Sequence, residues 1–196
     1  MTVRLDIINS MLATTGTSAL STEDTQHPDY IDASLTLDNV LAEFGSFPMW
    51  FNSYVRTLAA NVSGEIVPPS DAMTCEPTDS SKNYFIKGNR LFNSDDFTFN
   101  IGADTECRIV TNVPLDEMPP AAVQYVRAQA RLDFFVDQDG SEKKATLLAR
   151  KAQDAMVRMD QINLRQHDIN FFNGNAAANF YTRRSPNSTR GRITRW

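Results

Sequence analysis

The sequence predicts an α+β protein in which N- and C-terminal helices form an antiparallel helical bundle and a small antiparallel β lobe is inserted between them. Three observations predict it. Apolar residues recur at helical spacing before Pro48 and again after Pro119. The stretch between is rich in aromatic and β-branched residues and has a Gly-Asn turn within it. The last two helical stretches are joined by a turn so short that they should pack antiparallel. The chain then divides into the first bundle helices at residues 1–48, a β-rich lobe at 49–114, a long helix pair at 115–172 and a basic arm at 173–196.

In residues 3–15, Leu5, Ile8 and Leu12 fall at spacings of three and four, Met11 widens the stripe, and Gly16 suits the left-handed position that closes a helix. A polar loop follows to His27. Pro28-Asp29 opens a second helix with the apolar face Ala33, Leu37, Val40, Leu41 and Phe44, ended by Gly45 and Pro48. From Trp50 the period changes. Residues 50–67 read as strands broken at Asn61 and Gly64, while 68–71 and 76–83 read as loops. Residues 84–87 and 90–92, separated by Gly88-Asn89, read as a hairpin, because glycine permits the positive φ that primed turns need. Phe97, Phe99 and Ile101 alternate with Thr98 and Asn100 and predict a half-buried strand, and 107–113 predict another, stopped by Pro114.

The helical period returns at Pro119. Ala121, Tyr125, Ala128, Leu132 and Phe135 form one stripe and Val123, Val126, Ala130 and Phe134 a second, so this helix should be covered on two sides. Asp137-Gln138-Asp139-Gly140 makes the turn and Ser141 is a good N-cap. Ala145, Leu148, Ala152, Ala155, Met159 and Ile162 then repeat as a heptad seam, whose alanines let another helix approach closely.

Charge is segregated along this chain. Residues 183–196 carry five arginines and no acid, +5, whereas residues 1–182 sum to −10. Arg183, Arg184, Arg190, Arg192 and Arg195 suit phosphates or carboxylates equally, or a merely solubilising tail. Trp196 favours a protein-docking arm, since Trp and Arg are preferred interface anchors.

Residues for other chemistry are few. His27 and His167 have no second ligand at metal-binding spacing, and no metal site or cofactor is expected. The run 137–142 resembles a calcium loop, but the last ligand position falls on Thr146 where a glutamate is needed. Glu23/Asp24, Asp95/Asp96 and Asp116/Glu117 are paired carboxylates; a glycosidase needs two carboxylates across a sugar-sized cleft, and adjacent loop acids are more often solvated charge. The aromatics around Phe92 lack the basic, glycine-punctuated motif of an RNA-reading sheet. Cys75 and Cys107 fit no C-x-x-C pattern and suggest a reducing compartment without structural disulfides. No apolar run is long enough to insert in a membrane, and the first residues lack the apolar stretch of a secretion signal.

Four segments carry a resemblance: residues 5–16 (LDIINSMLATTG), Trp50-Phe51-Asn52, the hairpin at 84–92, and Leu115-Asp116-Glu117-Met118-Pro119. In order and spacing they resemble the tail tubular protein A family, the head-to-tail adaptors of short-tailed, podovirus-type phages. Met49 stands where that family often has glycine. The resemblance implies a non-enzymatic virion protein, assembled in the host cytoplasm into a homo-oligomeric ring expected to be a dodecamer. It implies the portal protein, the tail nozzle (tail tubular protein B) and tail fibres as partners. DNA would pass through the channel without specific binding, for which an acidic body is suited. The alternatives are a tail-borne polysaccharide hydrolase using loop carboxylates, and a DNA-binding protein acting through the arm.

Overall fold

The computed structural model describes residues 2–23, 27–138 and 141–166. In order they form α1 (Val3–Thr15), α2 (Pro28–Gly45), β1 (Ser53–Leu58), β2 (Ala72–Pro77), β3 (Tyr84–Lys87), β4 (Arg90–Asn93), β5 (Thr105–Thr111), a 3-10 turn (Leu115–Glu117), α3 (Pro120–Gln138) and α4 (Glu142–Gln166). The fold is α+β, as the periodicity predicts.

The helix ends follow from local chemistry. Thr2 caps α1 by accepting the Leu5 N–H on its hydroxyl, and Gly16 closes it at φ 86°, sending its N–H to the Leu12 carbonyl. Pro28 starts α2, where its missing N–H costs nothing. Ile7, Ile8, Met11 and Leu12 of α1 and Leu37 of α2 are fully buried. Each contributes about 1.5–3 kcal/mol by leaving water.

α3 is the centre of the bundle and packs on α1, α2 and α4. Its inward residues Ala122, Val126, Ala130 and Phe134 join the α1 and α2 side chains in one core, which also takes Met49, Met118 and Met159. α4 runs back along α3. At its start, the Lys144 ammonium lies 4.8 Å from the Phe135 ring centre and donates to the Thr14 carbonyl of α1. Near its end, Asn163 accepts the Trp50 N–H at 3.0 Å.

The β part has its own core of Leu58, Ile66, Cys75, Leu91, Cys107 and Ile109. Its antiparallel three-stranded sheet has the order β1-β5-β2, with Ile109 of β5 opposite both Tyr54 and Cys75. β3 and β4 form the expected hairpin, Phe85 opposite Phe92, with Gly88 at φ 67° in its turn. The Leu91 N–H bonds to the Ile66 carbonyl and ties the hairpin to the segment that follows β1.

Four segments depart from the sequence reading. Ala72–Pro77 is a strand, although residues 76–83 read as loop; it lies at the sheet edge, where a proline costs no ladder bond. Residues 59–67 are not strand. Residues 97–101 also form none: Phe97 stands at φ 52° and is 84% exposed, and only Thr98 bridges back to Asn93. Asp137 and Gln138 are the last residues of α3 rather than part of the turn. Among the described residues, no helix is long and apolar enough to cross a membrane.

Candidate assembly surfaces

The buried side chain of Asn52 fastens the end of α2 to the sheet. Asn52 accepts the Met49 N–H at 2.7 Å and donates to the Gly45 and Phe47 carbonyls at 3.2 and 3.0 Å. Its own carbonyl takes the Thr111 N–H at 2.8 Å, so the end of α2 and the end of β5 meet on one residue. The helix therefore enters the sheet at a set angle. Met49 is fully buried with no positive φ, so the position needs no glycine.

Two flanks of the bundle differ in charge. Between α3 and α4 lies an open groove of about 480 Å³. Ala121, Ala128, Ala155 and Ile162 supply its apolar lining, and Arg131, Lys151 and Arg158 its charge, with Asp154 the single acid among the described residues. Arg127 also lines it but is paired with Asp6 of α1. Arg127 and Arg131 each bury an Nε–H that has no acceptor among the described residues.

The other flank is α2 and the side of α3 it covers. Phe44 of α2 packs on Tyr125 with ring centres 5.1 Å apart. Asp133 bonds to Gln129 at 2.8 Å, yet burial, reinforced by Glu43 and Asp137, holds its carboxyl above the usual range. Burial likewise pushes the Tyr125 phenol up, with Glu43, Asp133 and Asp160 adding to the effect. Burial is the larger cause of both shifts, and the smaller contributions of Glu43, Asp133, Asp137 and Asp160 show that acids cluster on this side. Residues two apart on a helix point about 160° away from each other. Tyr125 and Asp133 thus face away from Arg127 and Arg131, and the acidic flank lies across the bundle from the groove.

The residues singled out in the sequence are placed as follows. Leu148, Ala152 and Met159 are buried against α3, while Ala145, Ala155 and Ile162 are half-buried, the last two lining the groove. Arg183, Arg184, Arg190, Arg192, Arg195 and Trp196 lie outside the described residues. The loop acids are spent locally: Asp95 and Asp96 accept from Asn83 and Asn93 at 2.8 Å, and Glu23 accepts from Thr2 at 2.8 Å. Asp116 and Glu117 sit in the 3-10 turn, and none of these acids lines the groove. Phe92 is buried at the centre of Phe85, Phe97 and Phe99, two of which are exposed. Cys75 and Cys107 are free, buried thiols. A hydrogen bond between them and burial hold the Cys75 thiol far above its usual range. Among the described residues, no group of three His, Cys, Asp or Glu side chains could hold a metal ion.

Sequence reasoning did not pick out Gln124, Arg127 and Arg131. The available signal was a polar strip on α3 between its two apolar stripes, at spacings of three and four.

Against known proteins, residues 5–169 match the tail tubular protein family. No curated protein matches the chain.

Proposed function

The chain belongs to the tail tubular protein family, structural components of phage tails, and from that premise we propose that it is the ring-forming adaptor between portal and tail nozzle. The ring, a dodecamer in this reading, continues the DNA channel, and tail fibres attach at its seam with the nozzle. The mechanism is assembly and passage. The bundle of residues 1–48 and 115–172 forms the ring body, the lobe at 49–114 projects from it, and the arm at 173–196 reaches a neighbour or the portal.

One observation carries the reading. The family match runs through both bundle and lobe, and the four segments that resemble the adaptor type fall at structural joints. Residues 5–16 form the buried α1 with its glycine cap, and Trp50-Phe51-Asn52 fasten helix to sheet. The hairpin closes the β core, and Leu115–Glu117 leads into α3. An acidic body supports a channel role, since duplex DNA that must slide is not gripped.

The test is to mix the purified protein with the portal protein, image the complex, and then add the nozzle protein. A ring capping the portal and accepting the nozzle is expected; failure to bind the portal would overturn the reading. Deleting residues 183–196 tests the arm, which should weaken portal binding. Unchanged binding and ring formation would remove its proposed role.

A further inference from the structure

The two flanks of the bundle are complementary in apolar surface and in charge. Ile31 and Leu35 of α2 are 49% and 61% exposed, and with Ala42 they lie on one side of the helix by its 100° step. Asp32 and Glu43 line one border of that stripe. Asp38, on the other border, is engaged by Arg4 at 2.8 Å. Among the described residues, the Asp32 carboxylate accepts from Gln138 alone, at 3.5 Å, the limit of hydrogen bonding. α2 thus presents an apolar ridge with acids beside it. Across the bundle, the α3/α4 groove offers an apolar lining with Arg131, Lys151 and Arg158 beside it.

We propose that the α2 ridge of one copy seats in the α3/α4 groove of the next, forming the lateral contact of the ring. This inference rests on the ring reading above and specifies its interface. A closed ring needs two different, complementary faces on each subunit, set apart so that the contact propagates. Ile31 and Leu35 meet Ala155 and Ile162, while Asp32 and Glu43 meet Arg131, Lys151 and Arg158. Arginine's planar fork suits such carboxylates. The chain's own arm is excluded from the groove, because five further arginines would be brought against its cations. Ridge and groove are both carried on rigid helices, so little order is lost on docking.

The experiment uses full-length protein with the portal. Arg158→Glu alone and Glu43→Lys alone should each weaken ring assembly at least about tenfold, since like charges meet at a close contact. The chain carrying both substitutions should recover, and an equimolar mixture of the two single variants should form alternating rings. A second arm avoids dependence on charge. Leu35→Cys with Ile162→Cys in one chain should give a ladder of covalent oligomers with a short bismaleimide, whereas either cysteine alone should give none. Intact rings with both charge variants, or no ladder from rings visible by microscopy, would overturn the interface and leave the adaptor reading standing. Failure of the wild-type chain to ring the portal would overturn both. A duplex DNA fragment retained by wild type but not by Arg158→Glu, with rings unaffected, would assign the groove to nucleic acid instead.

Discussion

Asn52→Ala should be among the most damaging single changes outside the hydrophobic core. It removes the three side-chain hydrogen bonds to Met49, Gly45 and Phe47 and leaves their backbone groups behind. Met49 and Gly45 are buried, so their N–H and C=O lose partners without gaining water. Each such loss costs about 1–3 kcal/mol. The Phe47 carbonyl belongs to an exposed residue and recovers a water, at little net cost. The sum is about 3 kcal/mol, a large part of the roughly 5–15 kcal/mol available to a domain. Urea denaturation followed by far-UV circular dichroism measures it. With a slope of about 2 kcal/mol/M, the midpoint should fall by about 1.5 M at unchanged slope. Asn52→Asp separates the two halves of the argument: it keeps the acceptor for Met49, loses both donations, and buries a charge. A fall below about 0.5 M for Asn52→Ala would refute the claim that this side chain fastens helix to sheet.

Other substitutions test other parts. Gly64→Ala places a Cβ 2.1 Å from Asn100 Oδ1 at φ 75°, whereas at Gly88, φ 67°, the space is open. The first should cost about 2–3 kcal/mol and the second about 1 kcal/mol in thermal or urea unfolding, and equal costs would contradict the close approach. Arg4→Ala breaks the pair with Asp38 and the bond to Ser34, both near the surface. A loss of about 1 kcal/mol or less, diminishing with added salt, is expected from double-mutant cycles with Asp38. Asp133 has a folded-state pKa above its unfolded value of 3.8. The folded protein therefore binds its proton more readily, and this group's contribution falls as pH rises from about the unfolded value through the folded one. Asp133→Asn should stabilise the protein at neutral pH, with the advantage fading in acid; a constant advantage across a pH series of unfolding midpoints would contradict it.

Much of the fold is legible because local chemistry and burial agree. Gly16 and Pro28 bracket helices whose apolar spacing also points inward, and Gly88 marks a turn between two runs that pair in register. The failures have identifiable competitors. β2 contains Pro77 and has no strict alternation; pairing with β5 makes it a strand, and its edge position tolerates the proline. Residues 97–101 alternate well, but Asn93 takes the Asp95 and Asp96 N–H groups on its side chain and holds the preceding turn, which leaves Phe97 in solvent.

By itself the sequence determined the helices, the hairpin, the α+β class and the resemblance to phage tail tubular proteins, because these rest on spacings within short stretches. The tertiary structure decided which charges face together. Arg131 and Lys151 are twenty residues apart, and Glu43 and Asp133 ninety. Only the packing of α3 between α2 and α4 gathers the cations on one flank and the acids on the other. Periodicity identifies a polar face, but electrostatic polarity belongs to the assembled bundle: charge sums over space, and distance along the chain does not fix distance in space.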